Sequence, residues 1–354
     1  MKIKVGITHG DPNGVGYEVI FKTFEDPTML ELCTPIVYGS PKVASYHRKS
    51  MEFSTNFTSI SAASEANENA LNILHCTADE VKVDMGQATE EGGAAALAAL
   101  ERAVKDWRDG LIDVLVTAPI NKYAIQSETF HFPGHTEYIQ DRVGHDGQQA
   151  LMILMNERIR VALATTHVPV SEIASHITQE LLMQKLTLLN QSLLRDFGIS
   201  IPRIAVLALN PHAGDNGLLG KEEAEIIQPT MQQAEEAGIN VYGPYAADGF
   251  FGTRAYESFD GVLAMYHDQG LAPFKLMAMD DGVNFTAGLD IVRTSPDHGT
   301  AYDIAGKGIA NENSLRQAIY AAIDIYRNRL VWDEARQNPL PKLYVDKRDR
   351  AEKG

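Results

Sequence analysis

Two cysteines and two tryptophans are all that the 354 residues hold of either type. Cys33 and Cys76 stand far apart, so neither a disulfide framework nor a paired-thiolate metal motif is available. Long apolar runs are missing too: no stretch approaches the roughly 18 residues that suggest a membrane helix. The start, MKIKVGITHGDPNG, passes directly into a strand and a glycine turn, without the apolar centre of a secretory leader. Cations are scarce: 31 Lys and Arg against 47 Asp and Glu leave a formal charge of −16. Nucleic acids and anionic membranes are bound through basic patches, so neither is an expected partner. A small anionic substrate stays compatible, because a few buried cations dominate a pocket whatever the net charge. A reducing cytoplasm is the expected location.

What is present is a globular composition, 44% hydrophobic and 22% charged. The length allows two domains or one large α/β unit. The runs KIKVGIT, TPIVYG, LIDVLVTAP, RIAVLALNP, INVYG and DGVLAMY predict strands. Most lack strict alternation, as expected of strands covered on both faces. Helical stretches lie between them. In GGAAALAALERAVKDWRDG, Leu97, Leu100, Val104 and Trp107 share one face and Gly110 closes the helix. GKEEAEIIQPTMQQAEEAG carries acids in its first turn and Gly238 at its end. This alternation predicts an α/β fold with a largely parallel sheet. ALMILMNERIRVALATTHV breaks the pattern and predicts an antiparallel hairpin turning at Asn156–Arg158. Residues 50–72, rich in Ser, Asn and Ala, read as a surface excursion, and the tail PLPKLYVDKRDRAEKG as mobile at its end.

Open α/β sheets hold their ligands beyond the carboxyl ends of strands. VALATTHVP delivers His167 there, VLALNPHAGD delivers His212 and VLAMYHDQG delivers His267. If those strands lie together in a sheet and its partner chain, three imidazoles converge on a divalent metal with positions left open for substrate. Alternatively, each ring bonds locally at its own strand end. FPGHTEYIQ puts His135 and Thr136 at a helix start, where free N–H groups and the hydroxyl suit an anion. Lys275, Asn284 and Arg293 add polar groups; Lys and Arg suit phosphate or carboxylate, unless they are plain surface charges. GDPNGVGYE and TAPINK are turns after strands, and neither is a dinucleotide fingerprint nor a P-loop. In SPDHGTAYDIAGKGIANEN, Gly299, Gly306 and Gly308 let the backbone bend close to a ligand. Asp303 there suits a ribose diol and would repel a 2′-phosphate, which favours NAD over NADP. His298, Gly299, Asp303 and Asn311 are the candidate cofactor-binding residues of this loop.

The loop resembles the adenosine-binding loop of the isocitrate and isopropylmalate dehydrogenase superfamily. THGDPNGVGYE, TAPINK, FPGHTEYI, LNPHAGD, MYHDQGLAPFK and VRTSPDHGTAYDIAGKG narrow the match. They follow one another as in the 4-hydroxythreonine-4-phosphate dehydrogenase family, a resemblance covering roughly residues 3 to 330. It implies an isocitrate/isopropylmalate dehydrogenase-like fold: two α/β/α domains with mixed, largely parallel sheets and a cleft between them. Residues 1–128 and 280–354 would bind the cofactor, and 129–279 would serve substrate, metal and dimerisation. The resemblance makes His167, His212 and His267 the ligands of one divalent metal (zinc, cobalt, manganese or magnesium). It makes His135, Thr136, Lys275, Asn284 and Arg293 the substrate contacts. Asp248, in YAADGFF, and Lys275 are the implied catalytic residues, with a metal-bound water as the alternative base to Asp248. The implied reaction is NAD(P)-linked oxidation of 4-phosphooxy-L-threonine, then decarboxylation to 3-amino-2-oxopropyl phosphate, in pyridoxal phosphate biosynthesis. The implied assembly is a homodimer with its site between subunits. Similar dehydrogenases oxidise 4-phosphoerythronate, 4-phosphothreonate or aromatic cis-dihydrodiol carboxylates; a more distant alternative is an acyltransferase resembling phosphate acetyltransferases, which use no nicotinamide. The chain departs from the family at Tyr17, where proline is usual, at ADGFFGT, and in the length of 50–72.

Overall fold

The computed structural model describes residues 2–78, 81–127, 130–145 and 147–339. The tail end expected to be mobile, 340–354, lies outside them. The strands are β1 (Ile3–Thr8), β2 (Cys33–Gly39), β3 (Phe57–Ile60), β4 (Leu71–His75), β5 (Val114–Thr117) and β6 (Leu151–Met155). They continue as β7 (Arg160–Leu163), β8 (Arg203–Leu207), β9 (Asn240–Tyr245), β10 (Gly261–Ala264), β11 (Val283–Ala287) and β12 (Arg293–Pro296). All six apolar runs read as strands contain one. The strands form one sheet, in the order β3-β4-β2-β1-β5-β12-β11-β6-β7-β10-β8-β9.

Neighbouring strands run parallel except around β11, which pairs antiparallel with β12 and β6, and at β6–β7. The β6–β7 hairpin turns where expected, and the Asn156 side chain accepts from Arg158 N at 2.9 Å to hold the turn. Every residue of β2, β5 and β10 is buried, which is why their sequences lack a polar–apolar alternation; β12 is buried throughout as well, although its sequence, RTSP, is polar. The helix expected after residue 90 spans Glu90–Arg108; Thr89 caps it by accepting from Gly92 N, and Gly110 closes it at φ +69°.

One reading is corrected. Residues 50–72 are not merely a surface excursion, because β3 and the start of β4 extend the sheet edge there. Their signal was weak because Thr58 and Ser59 are exposed on a four-residue edge strand. The expected mixed, largely parallel α/β architecture is present. Strands from 1–128 and 280–354 occupy one side of the order and those from 129–279 the other. The antiparallel pairing of Val283–Ala287 with Leu151–Met155 joins them, so one sheet serves both sets. No described helix is long and apolar enough to cross a membrane.

For the histidines the decisive feature is β10. It pairs in parallel with β7 on one side and β8 on the other. The carboxyl ends of the three strands therefore share one rim.

Candidate active site

A cavity of about 400 Å³ opens at this rim. His135, Thr136, Lys275, Asn284 and Arg293 all line it, as do His298 and Gly299. His135 is the first residue of the helix His135–Val143, which follows Gly134, so the expected helix start faces the cavity.

Arg293 is only 3% exposed, which excludes a surface charge. β12 places it between β5 and β11, opposite Thr286. Its guanidinium donates to Thr117 Oγ1 (3.1 and 2.6 Å) and Thr286 Oγ1 (3.2 Å). These partners are neutral, and burial pushes its pKa down to about 10. Lys275 is differently placed: its Nζ lies 3.6 Å from Asp297 Oδ1. Burial raises the Asp297 carboxyl, and Lys275 opposes that shift.

Three buried polar atoms of cavity residues lack hydrogen-bond partners: His135 Nε2, Asn284 Oδ1 and His298 Nε2. Buried polar atoms are rarely left so, and a polar ligand in the cavity would complete them. Burial, then the charges of Arg293 and Lys122, hold His135 well below the usual imidazole range. Burial lowers His298 as well. Both shifts favour the neutral ring, which has one donor and one acceptor nitrogen.

His167 and His267 meet in this cavity, their ring centroids 6.3 Å apart. His267 Nδ1 lies 2.7 Å from Asp268 Oδ1, and His167 Nδ1 lies 3.8 Å from Glu137 Oε1. The Asp268 carboxylate on His267 Nδ1 leaves that ring's Nε2 to bind a cation, the arrangement seen behind metal-ligating histidines, whereas Glu137 stands beyond hydrogen-bond reach of His167. His212 is elsewhere. With Asp248 it lines a second cavity of about 550 Å³. The helix His267–Ala278 divides the two: His267, Leu271 and Lys275 line the first, while Gln269 and Pro273 line the second. Among the described residues no three His, Cys, Asp or Glu side chains gather as a metal site. His212 opens a run of left-handed residues, His212–Asn216, of which only Gly214 is glycine. Such backbone costs on the order of 1 kcal/mol or more for each non-glycine residue. Glu223 braces the approach to it, accepting from Leu209 N and Asn210 N.

The candidate cofactor loop follows β12. Gly306 and Gly308 are left-handed, at φ +75° and +69°, so these two turns require glycine. Asp303 and Asn311 are exposed and lie outside the cavity lining. Asn311 Oδ1 accepts from Asn313 N at 2.9 Å, a turn-forming bond. The loop is mounted on the first motif and the helix Gly16–Glu25 after it. Val15 N donates to Thr300 O (3.0 Å), Glu18 Oε1 accepts from Ala310 N (2.7 Å), and Lys22 Nζ donates to Gly308 O (2.9 Å). GDPNGVGYE, a bare turn in the sequence, is thus the seat of this loop.

Sequence reasoning missed Thr117, Lys122, Glu137, Lys185 and Asp297 in the cavity wall. Lys122 closes TAPINK directly after β5, and Glu137 sits one residue past Thr136, so both had a signal. Lys185 had none.

Residues 31–322 match the family described as Pyridoxal phosphate biosynthetic protein PdxA. The chain belongs to this family. A relative from Bacteroides thetaiotaomicron, a 4-hydroxythreonine-4-phosphate dehydrogenase, is 65% identical over 99% of this chain and 96% of its own. Another so named, from Aquifex aeolicus, is 39% identical over 92% of this chain and 99% of its own. The crystal structure of 4-hydroxythreonine-4-phosphate dehydrogenase from Klebsiella pneumoniae superposes with TM-score 0.80 at 32% identity, covering 92% of this PdxA-family chain and 98% of that one.

Proposed function

We propose that this PdxA-family chain is a 4-hydroxythreonine-4-phosphate dehydrogenase. It oxidises 4-phosphooxy-L-threonine at its secondary hydroxyl, and the β-keto acid formed loses CO2 to give 3-amino-2-oxopropyl phosphate. Arg293 carries the reading: a buried cation on neutral hydroxyls, in a cavity that also holds His167 and His267, is best explained by an anionic substrate.

Arg293, Thr136 and the N–H groups opening the His135–Val143 helix hold the anionic end of the substrate. Lys275 adds charge beside them. The neutral His135 ring and the Asn284 carbonyl orient the remaining polar groups through their unpaired atoms. The donor set of His167 and His267 fits a divalent cation, with His212 completing it from a second copy of the chain in a homodimer. A cation held there supplies Lewis acidity to the reacting hydroxyl and to the charge left by decarboxylation. On the same reading Asp248, beside His212, reaches the hydroxyl proton only across the dimer. Residues 1–128 and 280–354 bind the nicotinamide cofactor, which accepts the hydride; His298 and Gly299 lie nearest the chemistry. Asp303, exposed on the loop, favours NAD over NADP. The enzyme works in the cytoplasm.

The test is NADH formation followed spectrophotometrically with 4-phosphooxy-L-threonine, 4-phospho-D-erythronate and an aromatic cis-dihydrodiol carboxylate, each with and without chelator. Chelator-sensitive turnover of the first substrate alone is expected. Preference for another reassigns the substrate, and no binding of NAD or NADP by cofactor fluorescence would point to the acyltransferase class.

A further inference from the structure

We propose that Lys185 is a specificity-determining, anion-binding residue of the active-site cavity, contacting the phosphate or the carboxylate of the substrate. This rests on the dehydrogenase reading of the cavity and extends it to a residue outside every signature motif.

Lys185 sits midway along the helix Gln179–Arg195 and lines the cavity. Leu182, Leu186, Leu189 and Leu193 form the buried face of that helix. The positions three and four residues away, Leu181, Leu182, Leu188 and Leu189, are all leucine, so no carboxylate on its own helix can reach the amine. No hydrogen bond or ion pair joins Lys185 to any described residue. The carboxylates of the cavity wall are engaged elsewhere: Asp297 faces Lys275 and Glu137 faces His167. Lys185 is half-buried, and burial alone lowers its pKa.

A partly buried ammonium without a counter-charge is unfavourable. Packing alone does not account for it, since leucine or methionine would fill a leucine-rich helix face without that penalty. An anionic ligand removes the penalty. The proposed substrate brings a phosphate and a carboxylate, and Arg293 and Lys122 are the other cavity cations without a hydrogen-bonded carboxylate among the described residues. Together these cations can serve both anionic ends.

The test uses the full-length enzyme and the variants Lys185→Met, of similar length and helix propensity, and Lys185→Arg. Lys185→Met should raise the KM for 4-phosphooxy-L-threonine by about tenfold or more, the usual effect of losing one charge-assisted hydrogen bond. Cofactor affinity and kcat should stay near wild type, and Lys185→Arg should recover most of the loss. Two inhibitors identify the anion. A parallel rise in the Ki of inorganic phosphate assigns Lys185 to the phosphate; a rise only for 4-hydroxy-L-threonine assigns it to the carboxylate. A folded Lys185→Met enzyme with KM and both Ki values within twofold of wild type overturns the proposal. Wild-type turnover separates this from the underlying reading. If wild type does not oxidise the substrate, the dehydrogenase reading fails, and calorimetry with inorganic phosphate then decides for Lys185 on its own.

Discussion

The hydroxyl of Tyr302 donates a 2.6 Å hydrogen bond to the carboxylate of Asp11, tying the chain's first motif to its last. Burial raises the pKa of Asp11, with the tyrosine bond and the Asn13 N–H opposing it. The Asp11 Oδ1 atom accepts from Asn13 N, so one carboxylate both shapes the GDPNG turn and holds the candidate cofactor loop. Tyr302→Phe removes only the hydroxyl. We expect stability to fall by about 1.5 kcal/mol, the loss of one bond to a charged acceptor. Cofactor affinity should weaken about fivefold while the substrate KM holds, read by NADH fluorescence. Unchanged cofactor affinity with lowered stability would leave the pair a role in folding alone.

Arg293 gives the second prediction. Its bonds to Thr117 and Thr286 fix a planar fork that lysine cannot reproduce. Arg293→Lys should lower kcat/KM by about a hundredfold without a comparable change in cofactor binding. Thr117→Val removes the acceptor of two of the fork's N–H groups and should destabilise the fold by about 1–3 kcal/mol. Denaturant midpoints and steady-state kinetics on both variants check this.

The third prediction concerns pH. His9 and His47 are buried against Tyr17, with ring centroids 5.1 and 4.9 Å away. Burial pushes the pKa of His9 down to about 3 and that of His47 to about 4. The unfolded chain takes up protons on these rings near pH 6.5, and the folded chain only near 3 to 4. Their contribution is therefore fully present above about pH 7.5 and is lost as the pH falls from about 6.5 toward 4. Each ring should remove about 1.4 kcal/mol per pH unit in that window. Urea midpoints at pH 7.5 and 5.0 should differ accordingly, and more weakly in His47→Gln. A flat profile would show that the rings are not held neutral.

Legibility in the sequence followed the reach of each signal. Apolar runs such as RIAVLALNP and DGVLAMY exposed the strands because both faces are covered. β11 and β12 were harder: VNFTA and RTSP carry polar residues inward, since Arg293 and Asn284 line the cavity and Thr286 accepts from Arg293. Motif residues near the rim, such as His135, could be found from the turn that presents them. Lys185 could not, because its helix carries no motif and only tertiary packing brings it to the cavity. The seat beneath the cofactor loop was equally hidden, since Asp11 and Tyr302 lie at opposite ends of the chain. Strand-end position marks His212 as following β8, but it does not tell which side of the His267–Ala278 helix a later turn takes.

That ambiguity yields the last prediction. His167 and His267 share a cavity, while His212 lines its neighbour with Asp248. In an isologous dimer, a site built from His167 of one copy and His212 of the other is split between chains. His167→Ala and His212→Ala enzymes should each be inactive alone. When they are mixed, unfolded and refolded together, half of the dimers are mixed by random pairing. Each mixed dimer then has one site with both histidines intact and one with neither, so about a quarter of wild-type activity should return. Were His212 to join His167 and His267 of its own chain, by movement of the strained 212–216 turn, every site in the mixture would lack one ligand and no activity would return. The same refolding with wild type alone sets the ceiling, and chelator should abolish the recovered activity.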